Sequence, residues 1–340
     1  MPHLVAAPDK FRGTATAGQV AAAVAGAARA AGWSADEVPL SDGGEGLLEA
    51  LGGSPRTTEV SGPLGRPVRA EWRMLPAAGG RGPTAVVEMS RAAGRALLAT
   101  PQGDDPLRAG TRGVGQLLLA ARDAGAARIV IGCGGSATTD GGAGAIAAVG
   151  TAAALAGVDL VVACDVTTPF RSAAAVFGPQ KGATPEQVAR LTARLNALAE
   201  RYRAEFAVDV DALPGAGAAG GLAGGLAALG ARIVPGFDLV AELNGLAGRL
   251  ARADLVVTGE GHLDPPSFDG KVPGGVLELA RPHCPVLCIV GDANRALLEA
   301  PPAGMEVVSL TSRFGATRAR AETLALITAV TAEALPRFCP

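Results

Sequence analysis

Short, nearly pure apolar runs alternate along the chain with stretches in which small apolar residues recur every three or four positions. That alternation predicts buried strands, each followed by a helix. Residues 4–7 (LVAA) form the first run and close on the polar turn PDKFRG. Thr14 or Thr16 then caps an alanine-rich helix with Val20 and Val24 on one face and Gly32 at its end. A second strand is expected at 36–40, closing on SDGGEG, with a short helix after it. Near residue 61 the rhythm changes, and 68–75 and 84–89 read as antiparallel strands joined by Gly/Pro turns. Helix 108–124, strand 128–132, a Gly-rich loop, a small-residue helix and a buried strand at 160–164 follow. The clearest helix starts at Thr184, with Pro185 in its first turn and Gln187 completing a capping box. Val188, Leu191, Leu195, Leu198 and Tyr202 then mark its core face. After Arg252 the strand–loop–helix rhythm returns, with strands at 254–258, 285–290 and 306–310. These three and the first two predict a five-stranded parallel sheet interrupted by a large insertion. The expected domains are 1–60 plus 245–340, and an inserted 61–244.

Composition narrows the classes of function. The net charge is −2, which argues against a polybasic surface for nucleic acid or membrane. Aromatic residues are only 3%, too few for base-stacking platforms. The uncharged stretches 141–158 and 212–231 are alanine- and glycine-rich, unlike membrane spans. Five scattered cysteines with no CxxC pair, and no leader pattern at the start, point to a reducing cytoplasm.

Candidate chemistry gathers in glycine-rich turns. GCGGSA at 132–137 fits the dinucleotide pattern, but the next acids after Asp140 are Asp159 and Asp165, beyond the usual ribose-binding distance. The backbone N–H groups, three hydroxyls and one carboxylate of residues 134–142 suit phosphate oxygens and Mg²⁺ instead. Lysine occurs only at Lys10, Lys181 and Lys271 against 27 arginines (30 − 3), each time in a loop with glycine. A lysine that persists under such a bias points to a need for a compact ammonium. Asp9, Asp42, Glu45, Asp140, Asp165, Glu260 and Asp264 cluster at expected strand ends, the edge where open α/β sheets bind ligands. Lysines, acids and glycine loops together suit metal-assisted phosphoryl transfer to a small anion. Three histidines without metal spacing argue against zinc.

Taken in order, APDKFRG (7–13), DGGEG (42–46), GPLG (62–65), GCGGSATTDGGAG (132–144), ACDV (163–166), VFGPQKGAT (176–184), PGAGAAGG (214–221), TGEG (258–261) and GK (270–271) resemble the type-1 glycerate kinases. These are bacterial enzymes that phosphorylate glycerate with ATP. The resemblance implies two α/β domains, a flavodoxin-like parallel-sheet domain split by a large inserted mixed α/β domain. It implies ATP and Mg²⁺ as cofactors, glycerate as substrate, 2-phosphoglycerate as product and a monomer or homodimer. Gly134, Gly135, Ser136 and Thr138 would bind the nucleotide. Asp42, Asp140, Asp165 and Lys271 would be catalytic, with Asp140 and Asp165 on the metal. Asp9, Lys10, Arg12, Lys181, Glu260 and Asp264 would bind substrate. Lys10 and Arg12 stand where the family usually has serine and lysine, and His262 and Pro266 where it usually has arginine and glutamine. Those departures leave two alternatives, a kinase for another small hydroxy acid or a catalytically silent binding protein.

Overall fold

The apolar runs supply strands to two main sheets, and two short strands, His262–Leu263 and Asp292–Ala293, pair in a small third one. In chain order the strands are β1 (His3–Ala6), β2 (Ser34–Glu37), β3 (Ser54–Ser61), β4 (Pro67–Leu75), β5 (Thr84–Glu88), β6 (Arg128–Gly132), β7 (Asp159–Ala163), β8 (Arg232–Val234), β9 (Leu255–Thr258), β10 (His262–Leu263), β11 (Val286–Val290), β12 (Asp292–Ala293) and β13 (Met305–Ser309). They belong to a computed structural model that describes residues 1–98 and 105–338. Two units separate: 1–42, 49–51 and 236–340 in the first, 43–48 and 52–235 in the second.

The first unit holds a parallel sheet in the order β13-β11-β9-β1-β2. Numbered among themselves, those strands run 2-1-3-4-5, the flavodoxin-like order, with its switch point between β1 and β9. Leu4 pairs with Leu255 on one side and Ala35 on the other. The second strand was expected at 36–40 and lies at Ser34–Glu37, but the pairing continues past it. Val38 N donates to Ala6 O (2.8 Å) and Leu40 N to Pro8 O (2.9 Å). On the other flank Ala7 N donates to Val257 O and Asp9 N to Gly259 O, both at 2.8 Å. Asp9 is thereby delivered to the carboxyl edge at the switch point. The core beneath includes Val20, Val24, Trp33, Leu287, Ile289, Ile327 and Val330. Thr16 caps the first helix, Ala17–Ala30, and Gln19 completes its capping box.

The second unit holds a mixed sheet, β3-β4-β5-β6-β7-β8, antiparallel as far as β5 and parallel beyond it. Residues 54–60, which the sequence places in the first domain, pair antiparallel with β4. Their pattern gave no signal because the strand is polar and mostly exposed. The helix expected at 108–124 begins at Arg112, because Gly110 N donates to Pro63 O and the Thr111 hydroxyl is taken by Asp140. Helix Pro185–Phe206 carries the expected capping box, with Leu191, Leu195, Leu198 and Tyr202 buried. Helix Ala218–Ala228 is buried along its whole length, the physical reason for its uncharged sequence. Among the described residues, no helix is long and apolar enough to cross a membrane.

Candidate active site

In the first unit the carboxyl edge at the switch point collects opposite charges. Asp9 is 7% exposed, and the Lys10 ammonium lies 3.5 Å from it and 3.8 Å from Asp42. Burial is the main force on Asp9, pushing its pKa up to about 6 against the pull of Lys10. Burial opposes the Lys10 charge, but Asp9 and Asp42 outweigh it and raise that pKa. Glu260 follows the Gly259 carbonyl that accepts the Asp9 N–H, and its Oε1 is buried without a hydrogen-bond partner. Burial raises Glu260 to about 7; the Ser267 hydroxyl and Lys271 lower it, Asp9 and Asp264 raise it. Asp264 is chiefly a cap: its Oδ1 accepts from Ser267 Oγ at 2.9 Å, at the head of the turn Pro265–Phe268. Arg12 is exposed, and Lys271 is half-buried at the N-cap of helix Val272–Ala280. His262 is exposed, 3.8 Å from Asp292.

The second unit presents the Gly-rich turn at the carboxyl end of β6. Gly135 is exposed, Gly134 and Ser136 are half-buried, and Thr138 is fully buried. Two N–H groups of the turn are committed inside the protein, Cys133 N to Gly43 O (3.2 Å) and Ala137 N to Ala93 O (2.9 Å). Thr138 offers a ligand no exposed surface, unlike its expected role. Asp165 is half-buried at the end of β7. Lys181 is 5% exposed; its Nζ donates to Thr138 O at 2.6 Å, and burial lowers its pKa to about 8 although Asp140 raises it.

Asp140 does not fit a magnesium ligand. Its Oδ2 accepts from Thr111 N (2.8 Å), Thr111 Oγ1 (2.8 Å) and Gly144 N (3.1 Å), and its Oδ1 from Gly142 N (3.2 Å). A carboxylate with about four lone-pair sites is nearly filled by such donors, and N–H hydrogens point where a cation would sit. Among the described residues, no group of three or more His, Cys, Asp or Glu is arranged to hold a metal.

Two residues escaped the sequence reading. Glu88, 3% exposed, accepts from Gly46 N (2.8 Å) and Leu48 N (3.2 Å) and pairs with Arg91. It thus anchors the DGGEG turn, and its signal was a lone carboxylate closing an apolar strand. Thr111, the partner of Asp140, carried no signal because its bonds to Asp140 and Ala145 are long-range.

Comparison with known proteins places the chain in a family. The sequence model of the Glycerate kinase family matches residues 4–154 and 151–338. The chain is 42% identical over 311 residues to an uncharacterised protein of Mycobacterium bovis, covering 86% of this chain and 79% of the other. It is 38% identical over 328 residues to the glycerate 2-kinase of Escherichia coli, covering 85% of each. A crystal structure of a candidate glycerate kinase 2 from Salmonella typhimurium LT2 superposes with a TM-score of 0.81 at 34% identity, covering 99% of both chains. With the flavodoxin-like order of its parallel sheet and the glycine-rich turns in sequence, this chain belongs to the glycerate kinase family of phosphotransferases.

Proposed function

We propose that the chain transfers the γ-phosphoryl group of ATP to the 2-hydroxyl of glycerate, giving ADP and 2-phosphoglycerate, with the nucleotide used as its magnesium complex. The observation that carries this reading is family membership over the whole chain beside a relative that is a glycerate 2-kinase. The turn of Gly134, Gly135 and Ser136 takes the nucleotide phosphates, with Asp165 at the end of the neighbouring strand. Arg12 and Lys271 meet the glycerate carboxylate and the phosphoryl charge. Lys10 and Asp42 complete the charge balance of the switch-point cluster. Asp9 and Glu260, with pKa values of about 6 and about 7, can accept the proton that the hydroxyl loses as its oxygen bonds to phosphorus. Asp140 keeps its structural role. Magnesium would come with the nucleotide and offset the charge of its phosphates, as is common for this ion.

Purified protein incubated with ATP and D-glycerate should release ADP and form 2-phosphoglycerate, read by phosphorus and carbon NMR. Excess EDTA should abolish turnover. A 3-phosphoglycerate product, undiminished rate in EDTA, or faster turnover of another hydroxy acid would overturn the corresponding part of the reading. The last outcome has a motive in His262 and Pro266.

A further inference from the structure

We propose that Lys181 is a positioning residue for the nucleotide turn: its buried ammonium, tied to the Thr138 carbonyl, holds residues 134–139 in the form that receives phosphate. The inference rests on the reading of that turn as the nucleotide site. It replaces the direct substrate contact expected of this lysine.

The geometry is that of a clamp. Lys181 ends the short turn Pro179–Lys181 and reaches inward, 5% exposed, to a carbonyl 43 residues away in the chain. Its other close neighbour is the Phe177 ring, with the centroid 5.9 Å from Nζ. Among the described residues, no carboxylate lies within 4 Å of it. An ammonium buried with no carboxylate in bonding distance is costly and is retained where its charge has a use. Thr138 is held from a second side as well. Residues 219–221 are left-handed, and a Cβ on Gly220 would stand 2.0 Å from Thr138 O. Gly141 N donates to Gly220 O at 3.0 Å, and Ala219 holds a φ of 51°, a strained conformation for alanine. Ser136, Gly135 and Gly134, just before this braced residue in the chain, are the part of the turn left open to a ligand. The clamp ties a buried positive charge to the turn's backbone without offering it for contact.

The ionisable groups facing Lys181 are Asp140, Cys133 and Arg95. Asp140 favours the ammonium and Arg95 opposes it. Cys133 remains a neutral thiol, because burial pushes its pKa well up. Burial brings Lys181 itself down to about 8. The clamp therefore loses its charge between pH 7 and pH 9.

Calorimetric titration with ATP tests this on the whole protein. Wild-type affinity should fall about tenfold from pH 7 to pH 9, as a group of pKa about 8 deprotonates. Lys181→Met should bind ATP at least tenfold more weakly at pH 7, with no further loss at pH 9 and with the KM for glycerate within twofold of wild type. Lys181→Arg keeps its charge and should show a flat profile over the same range. A raised KM for glycerate with unchanged ATP affinity would restore the direct substrate contact and overturn the clamp. So would wild-type ATP affinity independent of pH from 7 to 9, a result that needs no variant to fold. Wild-type protein that binds no ATP at either pH would overturn the nucleotide reading and the clamp together.

Discussion

The Asp140 carboxylate accepts four donors from Thr111, Gly142 and Gly144, so its replacement is an experiment on the fold. Asparagine caps a helix or fills a turn about as well as aspartate. Here, however, either orientation of its amide turns an NH₂ group toward an N–H. Asp140→Asn should therefore lower the unfolding free energy by about 2 kcal/mol, the effect of an unsatisfied buried group plus the loss of charge-assisted bonds. Thr111→Val should destabilise comparably, and the double variant by less than the sum, since both disrupt the bond between Thr111 Oγ1 and Asp140 Oδ2. Urea denaturation decides the matter. An Asp140→Asn protein within ~0.5 kcal/mol of wild type, the range of ordinary surface substitutions, would mean that the carboxylate is not a structural acceptor.

At the scale of elements, the irregular entry to helix Ala218–Ala228 does what a regular helix could not. Its left-handed start brings Gly220 against the Thr138 carbonyl, leaving no room for a side chain. Gly220→Ala should destabilise by about 3 kcal/mol or more, combining a left-handed alanine with a backbone collision. Gly230→Ala is the control, left-handed (φ +97°) but with nothing within 4 Å of the added carbon. It should cost only about 1–2 kcal/mol. Equal losses in thermal and urea denaturation would show that the contact with Thr138 carries no weight. The sequence displayed this helix as an uncharged alanine–glycine stretch, which identifies burial but not the kink. The same limit recurs elsewhere. Thr184, Pro185 and Gln187 marked a helix start because capping is local, and apolar runs marked β6, β9, β11 and β13 to within a residue or so. β3 was invisible because only pairing with β4 makes a strand of SPRTTEVS. The acids at 9, 42 and 260 were legible as strand-end residues. The inward turn of Lys181 and the use of Asp140 as an acceptor were not, since both depend on partners far away in sequence.

Across the whole molecule, the buried ionisable groups set a pH dependence opposite to the common acid-denaturation pattern. Asp9 and Glu260 have native pKa values of about 6 and about 7, above the ordinary 3.8 and 4.5. Between those values the native state holds more protons than the unfolded chain, so their contribution to stability falls as pH rises. A tenfold difference in proton affinity between the two states is worth ~1.4 kcal/mol, so the decline is large enough to read by urea denaturation. Lys181, lowered from 10.5 to about 8, acts in the other direction. Above pH 8 the unfolded state binds the extra proton, and stability recovers. Unfolding free energies should decline from pH 5 to about pH 7.5, and Glu260→Gln should flatten that decline. A stability that rises steadily over the same interval would show that the two carboxyls are ionised without penalty.

The interleaving of the two units also sets an order in time. Ala7 and Thr258, bonded neighbours in the first sheet, lie 251 residues apart in the chain. At roughly 5–20 residues per second, the ribosome leaves β1 and its alanine-rich helix without β9 for roughly 10–50 s. Residues 52–235 meanwhile emerge as one continuous stretch containing almost all of the second unit. That unit can close around its own core while the first still waits for its central neighbour. Until then β1 can pair only with β2, and the edge that β9 will fill stays open to the wrong strand.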